Sequence, residues 1–103
     1  MTDVSRGQVW DYRSISHTRR VLVVSTDALN EVGCPIVVEI TDVQPRNPAL
    51  MLLSINLGPD LGGYARTRSV SESNPKRFDK LIGHAPEHLM DQVDAALRAA
   101  LAL

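Results

Sequence analysis

Two pairs of arginines are the residues of this chain best suited to bind a phosphate group. Arg19 and Arg20 stand side by side before an apolar run, and Arg66 and Arg68 alternate in a later segment. A guanidinium stays charged at every physiological pH and offers paired N–H donors that match two phosphate oxygens. Although the whole chain carries a formal net charge of -1, positive charge is concentrated in the segments that contain these pairs. The two basic segments could meet in the folded protein.

Length and composition limit the classes of protein to which the chain could belong. Its 103 residues, 44% hydrophobic and 22% charged, suit one globular domain over residues 1–103. A lone Cys34 cannot form an internal disulfide, and the three histidines lack clustered metal-ligand spacing. No apolar run is long enough to span a bilayer, and the start Met1-Thr2-Asp3 is unlike a secretory signal. We therefore expect a cytoplasmic protein with no metal or other cofactor and no membrane contact.

Short apolar runs separated by turn residues predict mostly β structure. The predicted strands cover residues 7–12, 21–24, 36–41, 49–57, 64–70 and 80–83. The continuous run Val21–Val24 is typical of a strand buried on both faces, and Arg19 is expected just before it. A helical turn capped by Thr26 is expected between the second and third strands. Residues 42–48 contain two prolines and are expected to form a surface loop.

A C-terminal amphipathic helix over residues 86–102 is the clearest predicted element. Pro86 suits the first helical position, and Glu87 lies where the helix dipole favours an acidic side chain. Apolar residues recur every four positions at Leu89, Val93, Leu97 and Leu101. Five or six short strands followed by one helix indicate a mainly β, α+β fold. We expect a small, strongly bent antiparallel sheet or partly open barrel with the helix over its apolar face.

The order of these elements resembles the MazF/PemK family of toxin ribonucleases along nearly the whole chain. The likeness is carried by Arg6-Gly7-Gln8-Val9-Trp10, Arg19-Arg20 with the following strand, the turn at 25–30, the segment 35–41, Arg68-Ser69-Val70 and the helical segment 90–97. It implies a homodimeric, SH3-like barrel that cleaves single-stranded mRNA without a metal and is neutralised by a cognate antitoxin protein. Arg20 departs from the family pattern, which usually has proline there.

The resemblance also implies roles for individual residues. The family's catalytic arginine and threonine fall on Arg19 and Thr41. Arg19 would stabilise charge that accumulates on the phosphate, and the Thr41 hydroxyl would orient the same group. His17 is the only nearby residue of a type that ordinarily titrates near neutral pH, so it is the candidate general acid or base. The other arginines are predicted to bind flanking phosphates or stack on bases: Arg20, Arg66 and Arg68.

Simpler interpretations of these residues remain open. Paired arginines can protect an edge strand from aggregation, threonine commonly ends a strand, and a loop histidine needs no chemical role. A second functional hypothesis is a non-catalytic barrel similar to the CcdB toxins, which inhibit DNA gyrase through protein contact. The acidic C-terminal helix and the net charge of -1 favour that alternative, whereas the arginine pairs favour a ribonuclease.

Overall fold

The computed structural model describes residues 3–103, which form a six-stranded antiparallel sheet, three α-helices and two short 3-10 helices, Pro59–Leu61 and Pro75–Arg77. The strands are β1 (Gln8–Arg13), β2 (Thr18–Val23), β3 (Ile36–Thr41), β4 (Ser54–Asn56), β5 (Tyr64–Glu72) and β6 (Phe78–His84). The helices are α1 (Asp27–Glu31), α2 (Pro48–Leu52) and α3 (Glu87–Leu101). Residues 1 and 2, part of the polar start considered above, lie outside the described residues. None of the helices in 3–103 has the length and apolarity to cross a membrane.

The strands follow the spatial order β4-β5-β3-β2-β1-β6, with every neighbouring pair antiparallel. The sheet is not closed, because β4 and β6 are its two ends. Leu61, in a turn after β4, packs on the β6 backbone, since a Cβ at Gly83 would lie 2.8 Å from the Leu61 Cδ2 atom. The predicted partly open antiparallel arrangement with a C-terminal helix is therefore confirmed.

The apolar run of β2 is buried from both sides of the sheet, as its sequence predicts. Leu22 packs in a cluster with Val9 and with Val93 of α3. Val21 and Val23 face the opposite side and pack in a cluster with Trp10, Tyr12 and Phe78. All three β2 side chains are at most 1% exposed. Because both faces of its second half are packed, β2 is anchored in the core directly after Arg19 and Arg20.

The core-facing side of α3 differs from the predicted stripe. The helix buries Met90, Val93 and Ala96, whereas Leu101 remains 54% exposed. With 3.6 residues per turn, each step of four residues moves about 40° around the axis. A stripe with strict four-residue spacing therefore drifts away from the sheet, and its last member, Leu101, reaches solvent.

The predicted strand at 49–57 is wrong in its first half, where the chain forms α2. The Asn47 side chain caps this helix by accepting a hydrogen bond from the Ala49 N–H at 2.9 Å, and Pro48 occupies the first turn. An asparagine cap followed by proline is a helix-start signal that outweighs the apolar composition of the segment. Only β4, with three residues, remains of that strand.

Several predicted boundaries also shift. β2 begins at Thr18, so the expectation that Arg19 precedes the strand is wrong: Arg19 lies within it and pairs with Tyr12 of β1. The first loop is therefore only four residues long, and the Ser14 N–H donates to the His17 carbonyl at 2.9 Å. The last two strands extend beyond their predicted limits to Glu72 and His84.

The helical turn after β2 has a different anchor from the one predicted. Thr26 precedes α1 but makes no capping hydrogen bond with its side chain. Instead, the Asp27 carboxylate accepts hydrogen bonds from the Arg6 backbone N–H at 2.8 Å and from Asn30 at 3.1 Å. The Arg6 hydrogen bond and then the Asn30 hydrogen bond favour the ionised form, so the pKa of Asp27 is lowered. This carboxylate ties the N-terminal segment to α1.

Candidate functional site

An open groove of about 770 Å³ runs across the end of the β2–β3 strand pair and the turn that precedes β5. Four of the predicted site residues line it: His17, Arg19, Arg20 and Thr41. Arg66 and Arg68 are not among its lining residues within 3–103. The structure therefore brings together the residues of the first basic segment and Thr41, and leaves the second arginine pair outside the groove.

The β2–β3 register explains why Arg19 and Thr41 reach the same groove. Arg20 pairs with Ile40 in this antiparallel ladder. One further step in the same register places Arg19 opposite Thr41, on the same face of the sheet. Opposite residues of an antiparallel pair have Cβ atoms about 5 Å apart. A single small group in the groove could therefore contact both side chains.

The Arg19 guanidinium is held by a carboxylate from the neighbouring strand. Its Nη1 donates to Glu39 Oε2 at 2.9 Å. Its Nε is buried without a hydrogen-bond partner in residues 3–103. The side chain keeps 34% of its surface exposed and lines the groove. Arg19 is thus oriented by one contact while its charged end stays accessible to an anion.

Glu39 is a site residue that the sequence analysis missed. It pairs with Arg66 in the β3–β5 ladder, and its Oε1 lies 3.5 Å from Arg66 Nη1. The carboxylate therefore stands between two guanidinium groups, those of Arg19 and Arg66. A signal was present in the sequence, since Glu39 is the one charged residue of an otherwise apolar strand and lies two positions before Thr41.

The second arginine pair lies outside the groove, on the less buried side of β5. The β3–β5 ladder shifts register between Val38 and Glu39, so Glu39 faces Arg66 whereas Val38 faces Val70. Burial still alternates along β5 as far as Arg68, because the residues that alternate with the two arginines, Ala65 and Thr67, are fully buried. Arg66 is half-buried against Glu39, and Arg68 is exposed on β5.

Arg20 lies at the other side of the groove and has its own carboxylate partner. Its Nε donates to Asp11 Oδ1 of β1 at 3.2 Å. The turn before β5 packs against it closely, because a Cβ at Gly62 would lie 2.7 Å from the Arg20 Cδ atom. Arg20 is therefore fixed at the border of the groove, with part of its guanidinium exposed.

Thr41 is positioned by a tight glycine turn. Gly63 has a φ of +111°, and a Cβ there would lie 2.6 Å from the Thr41 carbonyl oxygen. The turn is closed by the Gly63 N–H, which donates to the Gly58 carbonyl at 3.0 Å. The Thr41 hydroxyl oxygen accepts from the Val43 N–H at 3.2 Å, which leaves its own hydrogen available to a group in the groove. Two successive glycines, Gly62 and Gly63, are a turn signal in the sequence, but no local pattern predicts the contact of Gly63 with Thr41.

His17 ends the first loop, two residues before Arg19, and borders the groove. It is exposed, and its Nδ1 lies 2.9 Å from the Ser16 hydroxyl. It also lines an adjoining depression with Tyr12 and Arg77. The imidazole is thus within the same concave surface as Arg19, where it could exchange a proton with a bound molecule.

The described residues supply cationic and hydroxyl groups to this groove. Residues 3–103 contain no cluster of three His, Cys, Asp or Glu side chains arranged to hold a metal ion. Arg19 and Arg20 each retain exposed surface beside a single carboxylate. An arrangement of guanidinium groups with a nearby hydroxyl is suited to bind an oxyanion such as a phosphodiester.

Several solved structures share the fold of this chain. The chain superposes with a TM-score of 0.86 on an endoribonuclease in complex with its cognate antitoxin from a mycobacterial species, at 22% identity over 97% of this chain and 96% of that one. For MazF in a MazE–MazF crystal structure from Deinococcus radiodurans, the TM-score is 0.85 at 18% identity, over 100% and 99%. Mycobacterium tuberculosis toxin MazF-mt6 gives 0.76 at 14% identity, over 93% and 97%.

The family follows from the sequence itself. The model of the PemK-like, MazF-like toxins of type II toxin–antitoxin systems matches residues 6–101. The chain belongs to this family, as its motifs indicated. No protein with a curated function gives a significant sequence match.

Proposed function

We propose that this chain is an endoribonuclease toxin that cleaves single-stranded mRNA without a metal ion. The observation that carries the proposal is the convergence of Arg19 and Thr41, from neighbouring strands, on one open groove. Membership of the PemK-like, MazF-like toxins supports it. The endoribonuclease with the same fold supports it as well.

The proposed reaction is an internal transesterification of RNA. The ribose 2′-oxygen attacks the adjacent phosphorus, and the bond from phosphorus to the 5′-oxygen of the next nucleotide breaks. One proton leaves the 2′-hydroxyl and one is delivered to the departing 5′-oxygen, so the step balances without water. The products are a 2′,3′-cyclic phosphate and a free 5′-hydroxyl. Negative charge accumulates on the non-bridging oxygens, and there a preorganised guanidinium has its largest effect.

Five of the predicted site residues, four in the groove and Arg68 outside it, have a proposed part in RNA binding or cleavage. Arg19 contacts the non-bridging oxygens, and the free hydrogen of the Thr41 hydroxyl donates to the same phosphate. His17 serves one of the two proton transfers. Arg20, at the border of the groove, binds a flanking phosphate. Arg68 extends that contact along the exposed face of β5.

The proposal includes two protein partners. We propose that the active form is a homodimer, because a small open sheet gains buried apolar surface by pairing. Large apolar side chains remain exposed on this chain, for example Leu52 at 79%. We also propose a cognate antitoxin, in line with the antitoxin complexes of the solved structures. Toxin, antitoxin and mRNA would meet in the cytoplasm.

The direct test is cleavage of a long RNA with little secondary structure by the purified protein in excess EDTA. We expect cleavage to persist in the chelator, since Arg19 and not a cation supplies the positive charge in this proposal. Mapping of the fragment ends should show 2′,3′-cyclic phosphate or 3′-phosphate. Intact RNA across varied sequences would contradict the proposed function, and cleavage restored only by added Mg²⁺ would contradict its metal independence.

Replacement of Thr41 tests the second contact to the phosphate. Thr41→Val keeps the shape of the side chain but removes the hydroxyl. We expect the cleavage rate to fall about 10- to 100-fold, since a hydrogen bond to a charged group such as a phosphate contributes about 1.5 to 3 kcal/mol. Thr41→Ser, which keeps the hydroxyl, is the matched control and should stay within about threefold of the original rate. Single-turnover rates on one short RNA measure both. Equal cleavage rates for the valine and serine variants would show that the Thr41 hydroxyl has no part in cleavage.

A further inference from the structure

We infer that Glu39 is an internal anion that competes with the substrate phosphate for Arg19, and that Arg66 acts by weakening this competition rather than by binding RNA directly. The inference rests on the proposed ribonuclease function. It assigns Glu39 and Arg66 as positioning residues that set the affinity of the groove for RNA.

The geometry places a carboxylate where a phosphate must compete with it. Glu39 Oε2 accepts the hydrogen bond from Arg19 Nη1 at 2.9 Å, and both side chains line the groove. A phosphate that contacts the same guanidinium would lie within roughly 5 Å of the carboxylate. Like charges at that distance repel, so RNA must either displace Glu39 or bind against its charge.

The contact between Glu39 and Arg19 is of a kind that a phosphate can displace. Only Nη1 of Arg19 takes part, and Nε is buried without a partner in residues 3–103. A contact through one nitrogen is weaker than the paired contact that a guanidinium makes with a well-placed oxyanion. Glu39 therefore orients Arg19 in the free protein without using the full donor capacity of its side chain.

Arg66 draws the same carboxylate in the opposite direction. Its Nη1 lies 3.5 Å from Glu39 Oε1, the oxygen that does not accept from Arg19. All three side chains are half-buried, with 27% to 34% of their surface exposed, so water screens their charges incompletely. The positive charge of Arg66 offsets the negative charge of the Glu39 carboxylate. More of the positive charge of Arg19 then remains to attract a phosphate.

This arrangement predicts opposite effects on RNA affinity when Glu39 and Arg66 are replaced. Glu39→Gln removes the competing charge and should tighten RNA binding by about five- to tenfold. Arg66→Gln leaves the carboxylate unopposed and should weaken binding by about three- to fivefold. In the double variant the carboxylate is gone, so the loss of Arg66 should have little further effect.

The experiment measures binding without cleavage. A short single-stranded RNA with 2′-O-methyl groups at every ribose has no nucleophile, and its fluorescence anisotropy gives the dissociation constant. Glu31→Gln and Arg98→Gln carry the same charge changes at exposed sites away from the groove and serve as matched controls. The double variant has the same net charge as the original protein, so a difference in RNA affinity between these two proteins reports a local effect of the substituted residues. Thermal unfolding of each variant establishes that it is folded.

The outcomes separate the inference from the proposed function. The inference is supported if Glu39→Gln binds RNA more tightly than the original protein. It also requires that Arg66→Gln weaken RNA binding less in the Glu39→Gln background than in the original protein. Weaker or unchanged binding by Glu39→Gln overturns it, since a purely structural role does not increase affinity. An equal Arg66 effect in both backgrounds shows direct contact with RNA and also overturns it. If the original protein neither binds nor cleaves RNA, the proposed function fails, and the competition fails with it.

Discussion

The Arg19→Ala variant should lose RNA cleavage almost completely, with a rate reduction of about 100- to 1000-fold. Arg19 is the cation that reaches the groove beside Thr41, on the face where the scissile phosphate would bind. Its removal takes away the group that stabilises negative charge on the non-bridging oxygens of the five-coordinate phosphorus, a stabilisation needed mainly in the transition state. We therefore expect the loss in the single-turnover rate to exceed the loss in RNA affinity.

Two variants make this prediction specific. Arg19→Lys keeps the charge but loses the planar pair of donors, and its rate should lie between those of the original protein and the alanine variant. Arg98→Ala removes an exposed arginine on α3 and should leave the rate unchanged. The chain should still fold in Arg19→Ala because Glu39 retains Arg66 as an ionic partner. Thermal unfolding of each variant checks this.

The same variant separates the ribonuclease from the protein-binding hypothesis. A toxin that acts through contact with a protein such as DNA gyrase would still arrest growth as Arg19→Ala. It would instead be sensitive to Arg98→Glu near the exposed end of α3. Growth arrest on expression of each variant is the measurement. Persistent toxicity of Arg19→Ala without RNA cleavage would contradict the proposed function.

The sequence was most informative where local pattern and tertiary packing agree. The β2 run predicts burial on both faces, and two core clusters provide it. Arg19 and Thr41 were singled out by the family resemblance, and the β2–β3 register then accounts for their place in one groove. The four-residue spacing of apolar residues was weaker evidence at the end of α3, because a helical turn of 3.6 residues rotates Leu101 away from the sheet.

The missed features depend on register and on turns that local pattern does not specify. The contact between Arg66 and Glu39 requires the β3–β5 pairing, which is irregular next to Glu39. The two residues are 27 positions apart in the sequence, so local periodicity carries no signal of their contact. α2 differs, because its asparagine and proline start signal was present at Asn47 and Pro48.

Gly63→Ala should cause the largest loss of stability among variants in the turn that supports the site. At a φ of +111° an L side chain is strained, and the new Cβ would lie 2.6 Å from the Thr41 carbonyl oxygen. Because that oxygen belongs to the backbone, the clash is relieved only if the end of β3 or the turn moves. We expect the free energy of unfolding to fall by about 3 kcal/mol, measured by urea denaturation. The cleavage rate of the folded fraction should also fall, since Thr41 moves.

Gly58→Ala, in the same turn, isolates the contact with Thr41 from backbone strain. Gly58 has a φ of +92° and a ψ of 164°, a conformation that also favours glycine, but no atom lies within 4 Å of the position that its Cβ would occupy. This variant should therefore lose about 2 kcal/mol from backbone strain alone, less than Gly63→Ala, and keep its cleavage rate. The difference between the two alanine variants then measures the contact with Thr41. If both lost the same stability and kept the same rate, the close approach of Gly63 would have no part in positioning Thr41.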